Sequence, residues 1–173
     1  IVTSAGIIHK KLLFKPSVPS VTLSYEFNLP LTGPLSFRTG NVTLNPEAFT
    51  QKDLFYRTHN GGVEPETLSL RDADEIDVRP LSLLCSARMA LGNTEGLFEF
   101  GDARATVWIR TRMEELAALP MLMYRTTQES YFLRVMYSLQ EFDDTIAVRG
   151  TEPLPSLTFT MEIGARTSKK LAR

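Results

Sequence analysis

The side chains that could do chemistry in this 173-residue chain are few: two histidines, His9 and His59, and one cysteine, Cys85. A nucleophilic triad needs a thiol or hydroxyl, a base within hydrogen-bond reach, and a third group that orients the base. Cys85 and His59 with Asp53 or Asp77 supply those types, but at no spacing that marks a nucleophile motif. Cys85 also ends the apolar stretch Leu81-Ser82-Leu83-Leu84, where a thiol behaves as a small hydrophobe. Asp72, Asp74, Glu75 and Asp77 place carboxylates near one another, as calcium loops do. The glycine and distal glutamate of an EF-hand are missing, so a solvated acidic loop is the expectation. The chain contains no P-loop, GxGxxG or HExxH. One cysteine permits neither an internal disulfide nor a cysteine zinc site. These residues predict no enzyme, no cofactor and no metal centre.

Binding chemistry is better represented, and it lies at the ends. His9-Lys10-Lys11-Leu12-Leu13-Phe14-Lys15 joins three lysines to three large apolar side chains. Each lysine is drawn to anionic lipid by ~1 kcal/mol, while Leu12, Leu13 and Phe14 could enter the interface or a partner's groove. The plainer alternative is a first strand or arm packed on the domain. At the other end Arg166, Lys169, Lys170 and Arg173 suit an anionic partner, with RNA a weaker possibility because no aromatic is there to stack a base. Residues 1–20 carry +3 and residues 164–173 carry +4, so a net charge of −1 leaves −8 for 21–163. An acidic body with two basic ends suits a bridge between partners, although solvated basic termini are also common. Arg104, Arg110 and Arg112 gather around Trp108, where the solvent face of an antiparallel strand is the expected reading. Asn41-Val42-Thr43 is a glycosylation sequon, and a turn asparagine is the simpler account of it.

The elements that must position these residues are mostly strands. Val21, Leu23, Tyr25, Phe27 and Leu29 alternate with polar neighbours and stop before Pro30, Gly33 and Pro34. Leu35, Phe37, Val42 and Leu44 read as a second strand around a Gly40-Asn41 turn. Asn45-Pro46-Glu47 is helix-start chemistry and predicts a short helix over 46–55. Residues 81–91 read as a buried strand, 97–100 as a short one, and 103–113 as a longer alternating one. Residues 114–119 have helical composition, limited by Pro120 to little more than a turn. Residues 128–142 satisfy both a strand alternation and a helical stripe opened by a capping-box spacing at Thr126–Glu129; the aromatic and β-branched content favours strand. Short strands at 145–148 and 157–163 complete the pattern. The prediction is α+β and mainly β: antiparallel sheets with one or two short helices, forming a sandwich or open barrel. It divides into a basic N-terminal arm (1–20), one β-rich domain (21–163) and a basic C-terminal tail (164–173). Ile at position 1 suggests a fragment or processed product, and 1–20 lacks the order of a signal peptide. No apolar run approaches the ~20 residues of a membrane-spanning helix.

Three stretches resemble the matrix proteins of rhabdoviruses, the vesiculovirus type most. The first runs from Val21 through Pro34-Leu35-Ser36-Phe37-Arg38-Thr39 into the segment holding Phe49 and Phe55. The second is Leu83-Leu84-Cys85-Ser86-Ala87-Arg88. The third leads from Ala105 to Met113 and on through Glu114-Glu115-Leu116-Ala117-Ala118-Leu119-Pro120-Met121. Together they cover about half the chain. The resemblance implies a small α+β domain with a flexible basic N-terminal segment. It also implies self-association, contact with an anionic membrane surface and with the viral nucleocapsid, and location in host cytoplasm, at the inner face of the membrane and in the virion. The chain departs from the family in its near-neutral charge and in having no PPxY motif; Lys15-Pro16-Ser17-Val18-Pro19 comes nearest. Competing expectations are a jelly-roll viral coat or movement protein, and a small-molecule-binding β-barrel with a cavity lined by Tyr25, Trp108 and Tyr137.

Overall fold

A computed structural model describes residues 1–3, 6–29, 36–71, 75–76, 89–140 and 156–167. Within them the chain is mainly β, in two open antiparallel sheets, with 3₁₀ turns in place of any longer helix. The larger sheet begins with β1 (Val2–Thr3), β2 (Gly6–Phe14) and β3 (Ser20–Asn28). Its other strands are β5 (Phe55–Thr58), β6 (Glu66–Ser69), β8 (Leu97–Gly101), β9 (Ala105–Thr111) and β12 (Leu157–Thr167). Their spatial order is β1-β2-β3-β12-β9-β8-β5-β6. The smaller sheet is ordered β4-β11-β10-β7, from β4 (Phe37–Thr43), β11 (Tyr131–Gln140), β10 (Leu119–Thr126) and β7 (Glu75–Ile76).

The core lies where one face of each sheet meets the other. Leu23 and Phe27 of β3, Phe98 and Phe100 of β8, Ile109 of β9, and Phe159 and Met161 of β12 supply the larger sheet's side. Leu122 and Tyr124 of β10 and Leu133, Val135 and Tyr137 of β11 supply the other. These positions recur every second residue, the periodicity that sends alternate side chains to one face. Aromatic rings join the layers: Tyr137 meets Phe159 at 5.5 Å and Phe37 meets Phe27 edge-on at 4.9 Å. Met121, Met123 and Met136 form a separate cluster on the opposite face of β10 and β11.

Several local expectations change. The helix over 46–55 is instead two 3₁₀ turns, Pro46–Ala48 and Gln51–Asp53, with Phe49 and Thr50 extended between them. Asn45 does cap the first, accepting from the Glu47 N–H at 3.1 Å. Thr50 donates its N–H to the Asp102 carboxylate at 2.7 Å, and that tertiary bond removes a donor an α-helix would need. The second strand forms as β4, but Gly40-Asn41 is not a turn within it. Gly40 sits within β4 at φ +65°, where β4 and β11 shift register, and its bare Cα lets Phe159 and Met161 approach. Residues 131–140 are a strand, and the capping-box residues before them form the β10–β11 turn, closed by Thr127 N–H to Ser130 carbonyl at 2.8 Å. Both basic ends enter the sheet: β2 pairs with β3 from Ile7 to Phe14, and β12 continues to Thr167. The N-terminal lysines therefore lie in or beside a strand, not on a free arm, and the expected tail begins inside β12. Of the strand expected over 81–91, residues 81–88 lie outside the described residues, and 89–91 form only an isolated bridge, Ala90 with Met121. The expected strand at 145–148, the turn residues Pro30, Gly33 and Pro34, and the stretch Leu83–Arg88 also lie outside the described residues.

Candidate functional site: a basic, apolar edge ribbon

β1 and β2 form one edge of the larger sheet, and Lys15–Val18 turns the chain from β2 into β3. β2 pairs with β3 along its whole length, Ile7 opposite Asn28 and Phe14 opposite Val21. β1 covers only the start of the other side, with Val2 opposite Ile7 and Thr3 opposite Gly6. The Ile1 ammonium and carbonyl close that end on the Ile8 carbonyl and N–H, both at 2.8 Å. Alternation divides the strand. Ile8, Lys10, Leu12 and Phe14 share the core face with Phe27, Tyr25, Leu23 and Val21, while His9, Lys11 and Leu13 share the opposite face with Glu26, Ser24 and Thr22.

The smaller sheet does not extend far enough to cover this edge. Ile8 still packs on the core, but Leu12 is 48% exposed and Phe14 71%. Seven of the eleven large hydrophobics exposed among the described residues lie within 1–18: Ile1, Val2, Ile7, Leu12, Leu13, Phe14 and Val18. That concentration in one segment exceeds ordinary scattered exposure, and alternation divides it, Leu12 and Phe14 on one face of β2 and Ile7 and Leu13 on the other. Lys10, Lys11 and Lys15 accompany them, and Lys10 holds its ammonium over the Tyr25 ring at 5.4 Å. Fully burying a Leu or Phe side chain is worth ~1.5–3 kcal/mol, so the ribbon leaves several kcal/mol of burial unrealised.

Among the described residues, three of the other expected cations, Arg104, Arg112 and Arg166, are engaged in ion pairs. Arg166, from β12, pairs with Glu99 on β8, whose second partner is Arg57 at 3.3 Å. Glu99 is buried, so two guanidiniums compensate a carboxylate that would be costly alone. Lys169, Lys170 and Arg173 lie outside the described residues. Arg104 binds Asp102 at 3.2 Å and the Ala48 carbonyl at 3.3 Å, and Arg112 pairs with Glu115 at 3.2 Å. Arg110 and Arg112 line a shallow groove with Lys15, Glu95, Glu114 and Glu162, where the acids balance the bases. Trp108 lies against Gly164 on the outer face, away from Tyr137 in the core, so Tyr25, Trp108 and Tyr137 line no common cavity.

Catalytic geometry is equally sparse. The His59 ring meets the Thr94 hydroxyl through Nδ1 at 2.7 Å and the Glu95 carboxylate through Nε2 at 3.6 Å. The Gly61 N–H also donates to Nδ1 at 3.3 Å, so the imidazole clips a turn to the loop that faces it. Asp53 sits in the second 3₁₀ turn, and Cys85, Asp72, Asp74 and Asp77 lie outside the described residues. Among the described residues no group of three or more His, Cys, Asp or Glu is placed to hold a metal ion, and no helix is long and apolar enough to cross a membrane. Sequence reading found residues 9–15 but not their extension through Ile1, Val2, Ile7 and Val18. The available signal was the apolar character of 1–8, which gains meaning only once β1 folds beside β2.

The fold and the ribbon define a two-sheet antiparallel β domain with a basic edge whose outer side no described residue pairs from Lys10 to Phe14. Compared with protein-family models and with curated proteins, the sequence has no match.

Proposed function

We propose that this chain is a non-catalytic assembly protein that associates with copies of itself and lays its basic edge on an anionic membrane surface. This is the role that the resemblance to rhabdovirus matrix proteins implies, with a viral nucleocapsid as the second partner. The observation that carries the reading is the ribbon, where three lysines and seven exposed apolar side chains share 18 residues. Lysines supply long-range attraction to acidic headgroups, and Leu12, Leu13 and Phe14 supply burial once contact is made. Neither is strong alone: three lysines give about 3 kcal/mol, so stable attachment needs the apolar contribution or several copies together.

Co-sedimentation with vesicles tests it. The protein is expected to pellet with phosphatidylserine-containing vesicles at low salt, less at high salt, and not with phosphatidylcholine alone. Replacing Lys10, Lys11 and Lys15 by Glu should abolish pelleting while leaving the melting temperature within a few degrees, since all three side chains are at the surface. Binding indifferent to salt and to these substitutions would contradict the reading. A preference for single-stranded RNA over vesicles would favour a coat protein.

A further inference from the structure

We infer that two copies of this chain join through β2, edge to edge, in the one register that brings Leu12 opposite Leu12 of the second copy. The inference rests on the assembly reading and adds the surface, the residues and the symmetry. Its first support is the backbone. Ile8 exchanges hydrogen bonds with Ile1, so its N–H and C=O point away from β3. Antiparallel geometry repeats every two residues, and Lys10, Leu12 and Phe14 must therefore point their N–H and C=O groups outward as well. β1 ends its pairing at Ile7, and no described residue pairs with those three. Among the described residues this stretch is an open template for another strand.

Lysines are a usual means of blunting such an edge, and here their placement selects a register. Related by a two-fold axis, β2 can meet a second β2 only in registers that pair outward residues with outward residues. Sliding so that Lys10 faces Lys10, or Lys11 faces Lys11, sets like charges directly opposite. Sliding the other way brings Lys11 against Lys15, and beyond that Pro16, which has no N–H to offer, enters the ladder. The register between them places Leu12 on Leu12, Lys10 on Phe14 and Lys11 on Leu13, with no lysine opposite a lysine. Each of the three outward pairs then exchanges both of its hydrogen bonds. Phe14, the most exposed aromatic of the ribbon, comes within reach of a Lys10 ammonium from the second copy. The two-fold keeps like faces together, so Lys10 of both copies lies on one face of the joined sheet and Lys11 of both on the other.

Sedimentation equilibrium of the full chain, with disulfide trapping, tests this. The wild type is expected to be a dimer at micromolar concentration. Leu12→Lys places like charges on the axis, and Leu12→Pro removes an outward N–H without touching the β3 ladder. Each should raise the dimer dissociation constant by about tenfold or more. Leu12→Cys should form a disulfide-linked dimer under mild oxidation beyond any level that Cys85 gives in the wild type, and Leu13→Cys, which faces Lys11, should not. A wild type monomeric throughout overturns both this interface and the self-association it rests on. A dimer untouched by Leu12→Lys and not trapped at position 12 overturns the interface alone, while vesicle binding reports separately on the membrane surface.

Discussion

Asp102 shows how much one side chain organises. Its carboxylate accepts from the N–H groups of Thr50 at 2.7 Å, Arg104 at 2.8 Å and Ala105 at 2.9 Å, and from the Arg104 guanidinium. Burial alone would raise its pKa; the hydrogen bonds outweigh burial and hold it at about 2. A carboxylate depressed in the folded state stabilises fully above its unfolded pKa near 3.8 and loses that contribution as pH falls towards 2. Asp102→Asn should therefore cost about 2 kcal/mol at pH 6, with the difference from wild type shrinking below pH 4, measured by denaturant titration at each pH. Tyr137 poses the opposite case: its hydroxyl is buried and has no hydrogen-bond partner. Tyr137→Phe is expected to leave stability unchanged or raise it by up to about 1 kcal/mol, and a clear loss would reveal an unseen partner. None of this was legible in the sequence. Asp102 read as one acid among twenty, because its partners at Thr50 and Arg104 meet only in the fold.

At the scale of elements, alternation was the reliable signal. β3, β8, β9, β11 and β12 stand where apolar residues recur every second position, including the strand at 131–140 that also carried a helical stripe. What failed were local signals overruled from afar. Asn45-Pro46-Glu47 caps a turn, but Thr50 is taken by Asp102 before a helix can form. Gly40 marks a bulge rather than a turn because β11 pairs on both sides of it. The β9–β12 pairing makes its own prediction. Trp108 lies against Gly164, directly opposite it, and any Cβ there would overlap the indole. Gly164→Val should destabilise by about 1–3 kcal/mol and shift the emission of this single tryptophan, while the β3 side of β12 stays paired.

At the scale of the molecule, charge and shape act at different places. The chain carries −1 overall, so attraction to an acidic surface cannot come from net charge and must be local to the ribbon. Vesicle binding is accordingly expected to persist at pH 7.5, above the pI of about 6.2, and to weaken with salt. The sequence marked residues 9–15 as notable, but whether they formed an arm or a strand depended on where the smaller sheet stops. Ile8 still packs on the core while Leu12 and Phe14 further along β2 stay exposed, a property of the whole fold with no signature in the segment itself. The most direct measurement is fluorescence from Phe14→Trp in a Trp108→Phe background, titrated with phosphatidylserine vesicles. A blue shift at position 14 is expected, with none from Val63→Trp, which is 96% exposed and remote from the ribbon in sequence. An unchanged spectrum at position 14 while the protein pellets with the vesicles would place the contact elsewhere and contradict the account.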